Sequence, residues 1–338
     1  MLFRAEGTRT VASMLNNMAR SGRWTMSAVA GVALLFAAGT ASAQQDGAGL
    51  SVVQVRPDFY MIAGAGANIG VQIGPDGVVL VNTGTREASG NVLAAIRQLT
   101  KAPIRYVINT SADADVLAGN ATFSKLTGLL HVAAHENVMK VVSAPTGQTS
   151  PFPADVWPDE TFFQERKYVF FNGEGIELLH MPSAHSDSDL VVFFRRSDVV
   201  VAGHVVDDTR FPVIDLAHGG SIKGEINALN RLIELAIPPG PLVGTPPVGI
   251  ALSEMPGGTE VLTGNGRVYR QLDLVEYRDM VVIIRDTIKY YMDQKMTLDQ
   301  IQSAAPAKAW EPRFGATSGP WTTQQFVEAV YRSLLKEK

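Results

Sequence analysis

The sequence predicts an α/β fold, and three features of the chain support that prediction. Short apolar or alternating runs separated by glycine-containing turns come first, at 52–55, 60–63, 68–73 and 78–81. Such runs are typical of a meander of antiparallel strands. Helix and strand patterns then alternate between 87 and 133, and a second group of strands precedes a helical C-terminal part. This order of elements is typical of sheets that are covered by helices.

The composition indicates a globular chain and limits the kinds of partner and metal ligand that it can have. Hydrophobic residues make up 46% and charged residues 18% of the 338 residues, which suits a packed core and argues against disorder. The net charge of −4, with no basic block beyond the N-terminal region, argues against a nucleic-acid partner. The absence of cysteine excludes disulfides and thiolate metal ligands. A transition-metal site would therefore use histidine, carboxylate, amide, hydroxyl or water ligands.

The first 43 residues have the pattern of an export signal. Four arginines precede an apolar run over 26–38, and Ala41-Ser42-Ala43 forms a small-x-small cleavage motif before Gln44. The apolar run is too short to serve comfortably as a membrane anchor. We therefore expect cleavage after Ala43 and a periplasmic or secreted mature protein without a stable membrane span. A retained, uncleaved anchor is the alternative.

The first half of the chain continues from the meander into alternating helix and strand. Apolar residues recur at helical spacing through 87–100, which predicts a helix there. The remaining elements predicted for this half are a strand at 104–108, a helix at 117–125, a strand at 129–133 and a surface loop at 143–159.

The second half begins with a hairpin pattern around a turn at 172–175 and ends in helices. Pro238 and Pro239 are expected to end the first of these helices. The predicted elements are strands at 168–171, 176–181, 190–194 and 199–202, and helices at 222–237, 273–293, 298–304 and 322–335. We divide the chain into a signal peptide at 1–43, one α/β domain at 44–305 and a C-terminal helical extension at 306–338.

The polar loop that follows the strand at 104–108 is the first candidate site. A loop at the carboxyl end of a strand is where α/β proteins commonly build their sites. Asp113 and Asp115 are two positions apart in this loop, so both carboxylates are candidates to reach one metal ion or to share a proton. The alternative is that one of the two aspartates only caps the next helix, because aspartate is a favoured N-cap residue.

This stretch resembles the metal-binding loop of the metallo-β-lactamase superfamily, whose pattern is Thr-His-x-His-x-Asp-His-x-x-Gly-Asn. Four residues match that frame, namely Thr110, Asp115, Gly119 and Asn120. Three positions at which the family has histidines carry Ser111, Asp113 and Val116. The non-ligand residues of this loop are thus similar to the family's pattern, whereas most of the family's metal ligands are replaced.

The resemblance extends over about 52–293. His185 falls on the family's second ligand segment, His204 stands where the family has a metal-bridging aspartate, and Asn265 stands at the last histidine ligand. Asn82 occupies the position of an aspartate in the family's Asp-Thr-Gly. The resemblance implies a four-layer αββα sandwich with the site at one edge of its two sheets. It also implies hydrolysis of a small ester, amide, thioester or phosphoester by a pair of zinc ions.

The altered ligand set leaves three interpretations of the site. The first is a non-catalytic or partner-binding protein in which the usual dinuclear zinc site is lost. The alternative is a hydrolase with one divalent metal (zinc, iron or manganese) held by Asp113, His185 and His204, with Asp115 beside them as general base. A third interpretation uses Asp113 and Asp115 as a metal-free acid/base pair. The partner is accordingly either a small-molecule substrate or a protein.

Other polar residues near these segments receive weaker assignments. Substrate-pocket positions are predicted for Ser111, His218 and Asn265. Asp187 and Asp189 follow His185 and are candidates to hydrogen-bond its ring, with surface solvation as the alternative. The remaining histidines are expected to make local structural contacts, namely His131, His135 and His180.

Overall fold

The computed structural model describes residues 44–45, 49–240 and 257–337. The predicted export signal lies outside these residues, so its cleavage stays a prediction. Within the described part of the chain, no helix combines the length and the hydropathy needed to cross a membrane.

The first half of the chain forms an eight-stranded sheet in which the strands follow one another in sequence order. The strands are β1 Gln44–Gln45, β2 Ser51–Arg56, β3 Phe59–Ala63, β4 Ile69–Gly74, β5 Gly77–Val81, β6 Ile104–Ile108, β7 His131–His135 and β8 Glu160–Phe162. Neighbours pair antiparallel from β1 to β5 and parallel from β5 to β8. The predicted meander is therefore confirmed as one half of this sheet.

The second sheet has six strands in the order β14-β13-β12-β11-β10-β9. Its strands are β9 Arg166–Phe171, β10 Glu174–His180, β11 Leu190–Phe194, β12 Val199–Asp207, β13 Glu260–Asn265 and β14 Val268–Tyr269. Only β12 and β13 pair in parallel among these strands. The carboxyl ends of β12 and β13 therefore lie at the same edge of this sheet.

Helices cover the outer faces of the two sheets. They are α1 Ser89–Leu99, α2 Ala114–Leu117, α3 Asn120–Phe123, α4 Asn137–Val142, α5 Ile222–Leu235, α6 Gln271–Asp293, α7 Leu298–Ser303, α8 Glu311–Phe314 and α9 Thr323–Lys336. Apolar residues of α1 pack on the first sheet, and those of α5 and α6 pack on the second. Ser221 caps α5 by accepting a hydrogen bond from the amide of Gly224 at 2.9 Å.

A third apolar layer lies between the two sheets. Phe59 of β3 and Phe194 of β11 meet edge to face, with ring centroids 4.8 Å apart. Both rings are fully buried, in one cluster with Val79, Ile108 and Val192. The layers thus run helix, sheet, sheet, helix, and the predicted four-layer αββα sandwich is confirmed.

Most predicted bounds differ from the observed ones by one or two residues, and three differences have a visible structural cause. The helix predicted at 117–125 is two short helices, α2 and α3, separated at Gly119, whose amide donates to the carbonyl of Gly84 at 2.9 Å. A Cβ on Gly119 would lie 2.3 Å from the carbonyl oxygen of Thr83, so this close approach sets the break. Strand β7 begins two residues later than predicted, because its pairing with β6 starts at Tyr106 opposite His131.

The third difference concerns the strand predicted at 199–202. Strand β12 continues to Asp207, with irregular register around Gly203. The backbone of Gly203 has φ +55°. A Cβ there would lie 2.6 Å from Oγ1 of Thr110, so this glycine lets β12 approach the loop after β6. Such an irregularity re-aims the side chains that follow it, and His204 follows directly.

The C-terminal helices pack on the second sheet's helical layer. Phe314, Phe326 and Val330 belong to the same apolar cluster as Leu229 of α5 and Ile284 of α6. The predicted boundary between 305 and 306 stays a prediction.

Candidate metal centre

The loop after β6 is held in place by buried amide side chains. Oδ1 of Asn82 accepts hydrogen bonds from both the amide and the hydroxyl of Thr110, at 3.0 and 2.9 Å. Asn82 has a positive φ of 69°, which asparagine tolerates better than most residues. Asn109 and Asn120 bond each other across the two ends of the loop. The loop is therefore a rigid support for the carboxylates that follow.

Asp113 occupies the N-cap position of α2 by its backbone, yet its side chain makes no capping hydrogen bond. Instead, Oδ2 lies 3.2 Å from Nε2 of His185 and 3.3 Å from Nδ1 of His204. The hydroxyl of Ser111 donates to the same oxygen at 2.5 Å. Asp113 thus joins residues that are far apart in sequence, and the simple capping interpretation is wrong for its side chain.

His185 lies in the loop between β10 and β11 with only 4% of its surface exposed. Its Nδ1 lies 2.8 Å from the carbonyl oxygen of Val213. A carbonyl only accepts hydrogen bonds, so Nδ1 carries a proton and Nε2 is directed at Asp113. Metal-binding histidines usually show this arrangement, in which the nitrogen that does not bind the metal donates to a carbonyl or carboxylate.

His204 projects from β12 between two carboxylates. Besides the contact with Asp113, its Nε2 lies 3.4 Å from Oδ2 of Asp115, within ion-pair distance but without hydrogen-bond alignment. Nε2 is buried and has no hydrogen-bond partner among the described residues. The rings of His185 and His204 meet edge to face with centroids 5.3 Å apart.

The close pairing shifts the protonation of all three side chains. Burial by itself raises the pKa of Asp113, but hydrogen bonds from His185 and His204 outweigh it and hold that pKa well below its ordinary value. Burial lowers the pKa of His185, whereas Asp113 and the charge of Asp189 raise it to about 9. Contacts with Asp113 and Asp115 likewise overcome burial and raise the pKa of His204 well above its ordinary value. In the metal-free protein, these shifts favour the imidazolium form of both rings.

The same three side chains fit a divalent metal. One ligand atom from each of Asp113, His185 and His204 lies within 4.8 Å of the others, and the described residues contain no other such group of three. The buried Nε2 of His204 has no aligned hydrogen bond among the described residues, and a buried polar atom of this kind calls for a further partner such as a bound ion. Two histidines and one carboxylate are a known donor set for zinc and for non-haem iron. Metal binding would displace the second ring protons, since only neutral imidazole coordinates.

Other predicted site residues lie around this group in different roles. Val116 is fully buried in an apolar cluster. The side-chain amide of Asn265 donates to Oδ2 of Asp207 at 3.1 Å, so this side chain bonds that carboxylate and not the cluster. Asp189 accepts from the amide of Ser186 and makes no hydrogen bond with His185, and burial raises its pKa to about 6. Asp187 bonds Asn137 and the amide of Ser183.

A cleft of about 160 Å³ opens beside the cluster. Asp113, Phe152, Ser186, Ser188 and His218 are among the residues that line it. The surface loop predicted at 143–159 thus contributes an aromatic wall through Phe152. The ring of His218 is half exposed, and its Nδ1 bonds Oδ2 of Asp215 at 2.5 Å.

The remaining histidines lie elsewhere. The ring of His131 is half exposed, 3.9 Å from Asp159. His135 and His180 stack with ring centroids 3.7 Å apart, and burial lowers the pKa of His135 to about 4. The partners that sequence reasoning missed are the carbonyl of Val213 and the side chain of Asn82. The first is a backbone atom and carries no sequence signal.

An αββα sandwich with a histidine–carboxylate cluster at one sheet edge defines the class of the protein. The sequence profile of the "Metallo-beta-lactamase superfamily" matches residues 64–238, which is more than half of the chain. The chain therefore belongs to the metallo-β-lactamase superfamily. No curated protein matches it by sequence.

Solved structures show the same fold at low sequence identity. The sec-alkylsulfatase Pisa1 from Pseudomonas sp. has a TM-score of 0.57 and 14% identity over 83% of this chain and 49% of its own. This chain thus spans about half the length of that relative. A metallo-β-lactamase from Pontibacter korlensis has a TM-score of 0.53 and 17% identity, covering 69% of this chain and 98% of its own. The DIM-1 metallo-β-lactamase has a TM-score of 0.50 and 13% identity, covering 69% of this chain and 96% of its own.

Proposed function

We propose that this protein is a hydrolase that uses a single divalent metal. Asp113, His185 and His204 would hold the ion, which is zinc, iron or manganese. The observation that carries the proposal is the orientation of His185, whose Nδ1 donates to Val213 and whose Nε2 is directed at Asp113. This orientation leaves one nitrogen available at the centre of the cluster, as a metal ligand requires.

A bound divalent cation in this cluster would supply Lewis acidity and lower the pKa of a coordinated water toward neutrality. The protein side chains have separate tasks. Ser111 donates to Asp113 and orients that carboxylate. Asp115, whose side chain is 35% exposed, reaches both His204 and the solvent side, so it is the residue we assign to accept a proton from the attacking water.

The proposed substrate class is supported by the family and by the size of the cleft. Superfamily hydrolases act on small molecules, and a cleft of about 160 Å³ admits a reacting group rather than a whole drug-sized ligand. We therefore propose a small ester, amide, thioester or phosphoester whose remainder extends into solvent.

A non-catalytic, partner-binding protein is the second candidate, and one observation favours it. In the absence of metal, two imidazolium rings and the carboxylates of Asp113 and Asp115 already balance in charge. His185, with its pKa raised to about 9, would remain protonated at neutral pH. The cluster would then be a buried ion-pair network with a structural role only.

Metal analysis separates the two candidates. We expect about one zinc, iron or manganese per chain in protein purified without chelator, and loss of that metal in His185→Ala and His204→Ala. His131→Ala is the matched control, because its half-exposed ring lies outside the cluster. If the wild-type protein contains no metal and its melting temperature does not rise with added metal, the second candidate is supported, because a ligand that binds the folded state must stabilise it.

We also propose that the mature protein is exported and begins at Gln44. Cell fractionation followed by N-terminal sequencing tests this directly. A periplasmic or secreted chain starting at Gln44 supports the proposal. A cytoplasmic chain that retains residues 1–43 contradicts it, independently of the metal analysis.

A further inference from the structure

The cleft beside the cluster has a second polar wall that the proposed metal site does not use. His218 lines this wall, and its Nδ1 bonds Oδ2 of Asp215 at 2.5 Å. Its Nε2 makes no hydrogen bond with the described residues. Because the carboxylate only accepts, Nδ1 carries a proton. An aspartate that holds one ring nitrogen leaves the other nitrogen available for proton exchange with a bound molecule.

The loop that carries this pair is fixed to the backbone of His185. The amide of Asp215 donates to the carbonyl of His185 at 2.8 Å, and the carbonyl of His218 accepts from Asp187 at 2.9 Å. A Cβ on Gly220 would lie 2.1 Å from the carbonyl oxygen of His185, so the two backbones are in direct contact. His218 is therefore held in a defined position relative to the cluster.

The other carboxylate oxygen of Asp215 accepts two backbone hydrogen bonds. Oδ1 accepts from the amides of Ala217 and His218 at 3.0 and 3.1 Å. This turn fixes the carboxylate before it bonds the ring, so the ring is oriented by a preformed acceptor. Fixed orientation of this kind is what an efficient proton donor requires.

We propose that His218 is the proton donor to the leaving group in the hydrolysis proposed above. In an ester, the bond between the acyl carbon and the leaving oxygen breaks as water adds. The electron pair of that bond moves to the leaving oxygen, which takes the proton from Nε2 of His218 and departs as an alcohol. The ring then takes up a proton from solvent, while its Nδ1 keeps the bond to Asp215 that orients it.

This inference rests on the proposed hydrolase function, and its alternative is an ion pair that only stabilises the turn. The two differ in their dependence on the leaving group. p-Nitrophenolate is a weak base and departs without a proton, whereas phenolate is a stronger base and benefits from one. A proton donor matters for phenyl substrates and little for p-nitrophenyl substrates, while a purely structural residue affects both alike.

The test compares hydrolysis of phenyl and p-nitrophenyl acetates and phosphates by the intact, metal-containing protein. We expect His218→Gln to lower kcat for the phenyl substrates by about 100-fold, as general acids commonly contribute, and for the p-nitrophenyl substrates by less than about 5-fold. Asp215→Asn keeps an oxygen for the two backbone amides and should cause a smaller loss in the same direction. His131→Gln is the control, since its ring is equally exposed and also lies near carboxylates.

Each outcome is informative. A loss restricted to the phenyl substrates supports the inference. Equal losses for both leaving groups, or no loss, overturn the role of His218 and leave the hydrolase function standing. If metal-containing wild-type protein hydrolyses none of these substrates, the proposed hydrolase function is contradicted for these classes and the role of His218 falls with it.

Discussion

The ring of His185 donates from Nδ1 to the carbonyl oxygen of Val213, 2.8 Å away. This one bond ties the loop between β10 and β11 to the segment that precedes α5. It also fixes which nitrogen of His185 is directed at Asp113. Whether the cluster is a metal site or an ion-pair network therefore depends on Nε2 of His185. A proton on Nε2 pairs with Asp113, whereas a deprotonated Nε2 can bind a metal.

Removing His185 is expected to destabilise the metal-free protein. In His185→Ala, Asp113 loses one of its two cationic partners, and the carbonyl of Val213 loses its donor. Breaking a buried ion pair by removing one partner typically costs about 3–5 kcal/mol. Urea unfolding of chelator-treated protein measures this cost. His131→Ala should change the free energy of unfolding by less than about 0.5 kcal/mol, and an equally small effect of His185→Ala would contradict the burial and pairing described above.

The raised pKa of His185 predicts a pH dependence of stability. With a pKa of about 9 in the folded protein and about 6.5 in the unfolded chain, the ring binds its proton more tightly when folded. The resulting stabilisation is fully present below about pH 6.5 and is lost as the pH rises through about 9. Its size is on the order of 3 kcal/mol.

Denaturant unfolding of the metal-free protein between pH 6.5 and 9.5 measures this loss. Excess zinc should flatten the same curve if the proposed site exists, because coordination replaces the proton. A curve that zinc does not change would favour the non-catalytic candidate. A flat curve in the metal-free protein would contradict the protonated state of His185.

The layers of the fold could be predicted from the sequence. The directions in which the site side chains point could not. Period-two apolar runs predict β2 to β5 because one face of each strand is buried. The irregularity at Gly203, however, lies where this residue approaches Thr110 of the loop after β6. A local pattern contains no information about such a contact. The direction of His204 therefore became visible only in the folded chain.

Asp113 illustrates the same limit at a single residue. An aspartate before a helix has the same sequence signature whether it caps that helix or binds another group. Here the N-cap backbone is present, and the side chain bonds His185 and His204 instead. The grouping of Asp113, His185 and His204 followed from the resemblance to a family and not from spacing along the chain. The partner of His185 is a main-chain carbonyl, and every residue type has one, so the sequence gives no sign of this contact.

Asn82 is expected to support the site from outside it. Its Oδ1 accepts two hydrogen bonds from Thr110, which lies near the start of the loop that carries Asp113. Asn82→Ala leaves a buried amide and a buried hydroxyl without their acceptor, which costs about 2–3 kcal/mol. The same variant should bind metal more weakly, because the loop loses its anchor.

A double-mutant cycle with Thr110→Val isolates the bond between the Thr110 hydroxyl and Asn82. We expect a coupling energy of about 1–2 kcal/mol between the two positions in urea unfolding. Strictly additive effects would show that Asn82 acts through contacts other than the Thr110 hydroxyl, such as its bonds with the backbone amide of Thr110 and the carbonyl of Asn68.

Glu225 provides a prediction that is independent of the metal. It lies in the first turn of α5, fully buried, and neither carboxylate oxygen has a hydrogen-bond partner among the described residues. Burial, together with the nearby charge of Asp189, raises the pKa of Glu225 well above its ordinary value. The folded protein therefore binds this proton more tightly than the unfolded chain does.

The consequence is a loss of stability as the pH rises above the unfolded pKa of about 4.3, up to the folded pKa. Glu225→Gln removes the titrating group and keeps the shape of the side chain. We expect the variant to gain on the order of 1 kcal/mol over wild type for each pH unit in that interval. Asp279→Asn, at a largely exposed carboxylate paired with Arg278, is the control and should show no such trend. If Glu225→Gln instead loses stability equally at pH 5 and pH 8, the carboxyl group has a hydrogen-bonding role in the core and is not a buried, unpaired acid.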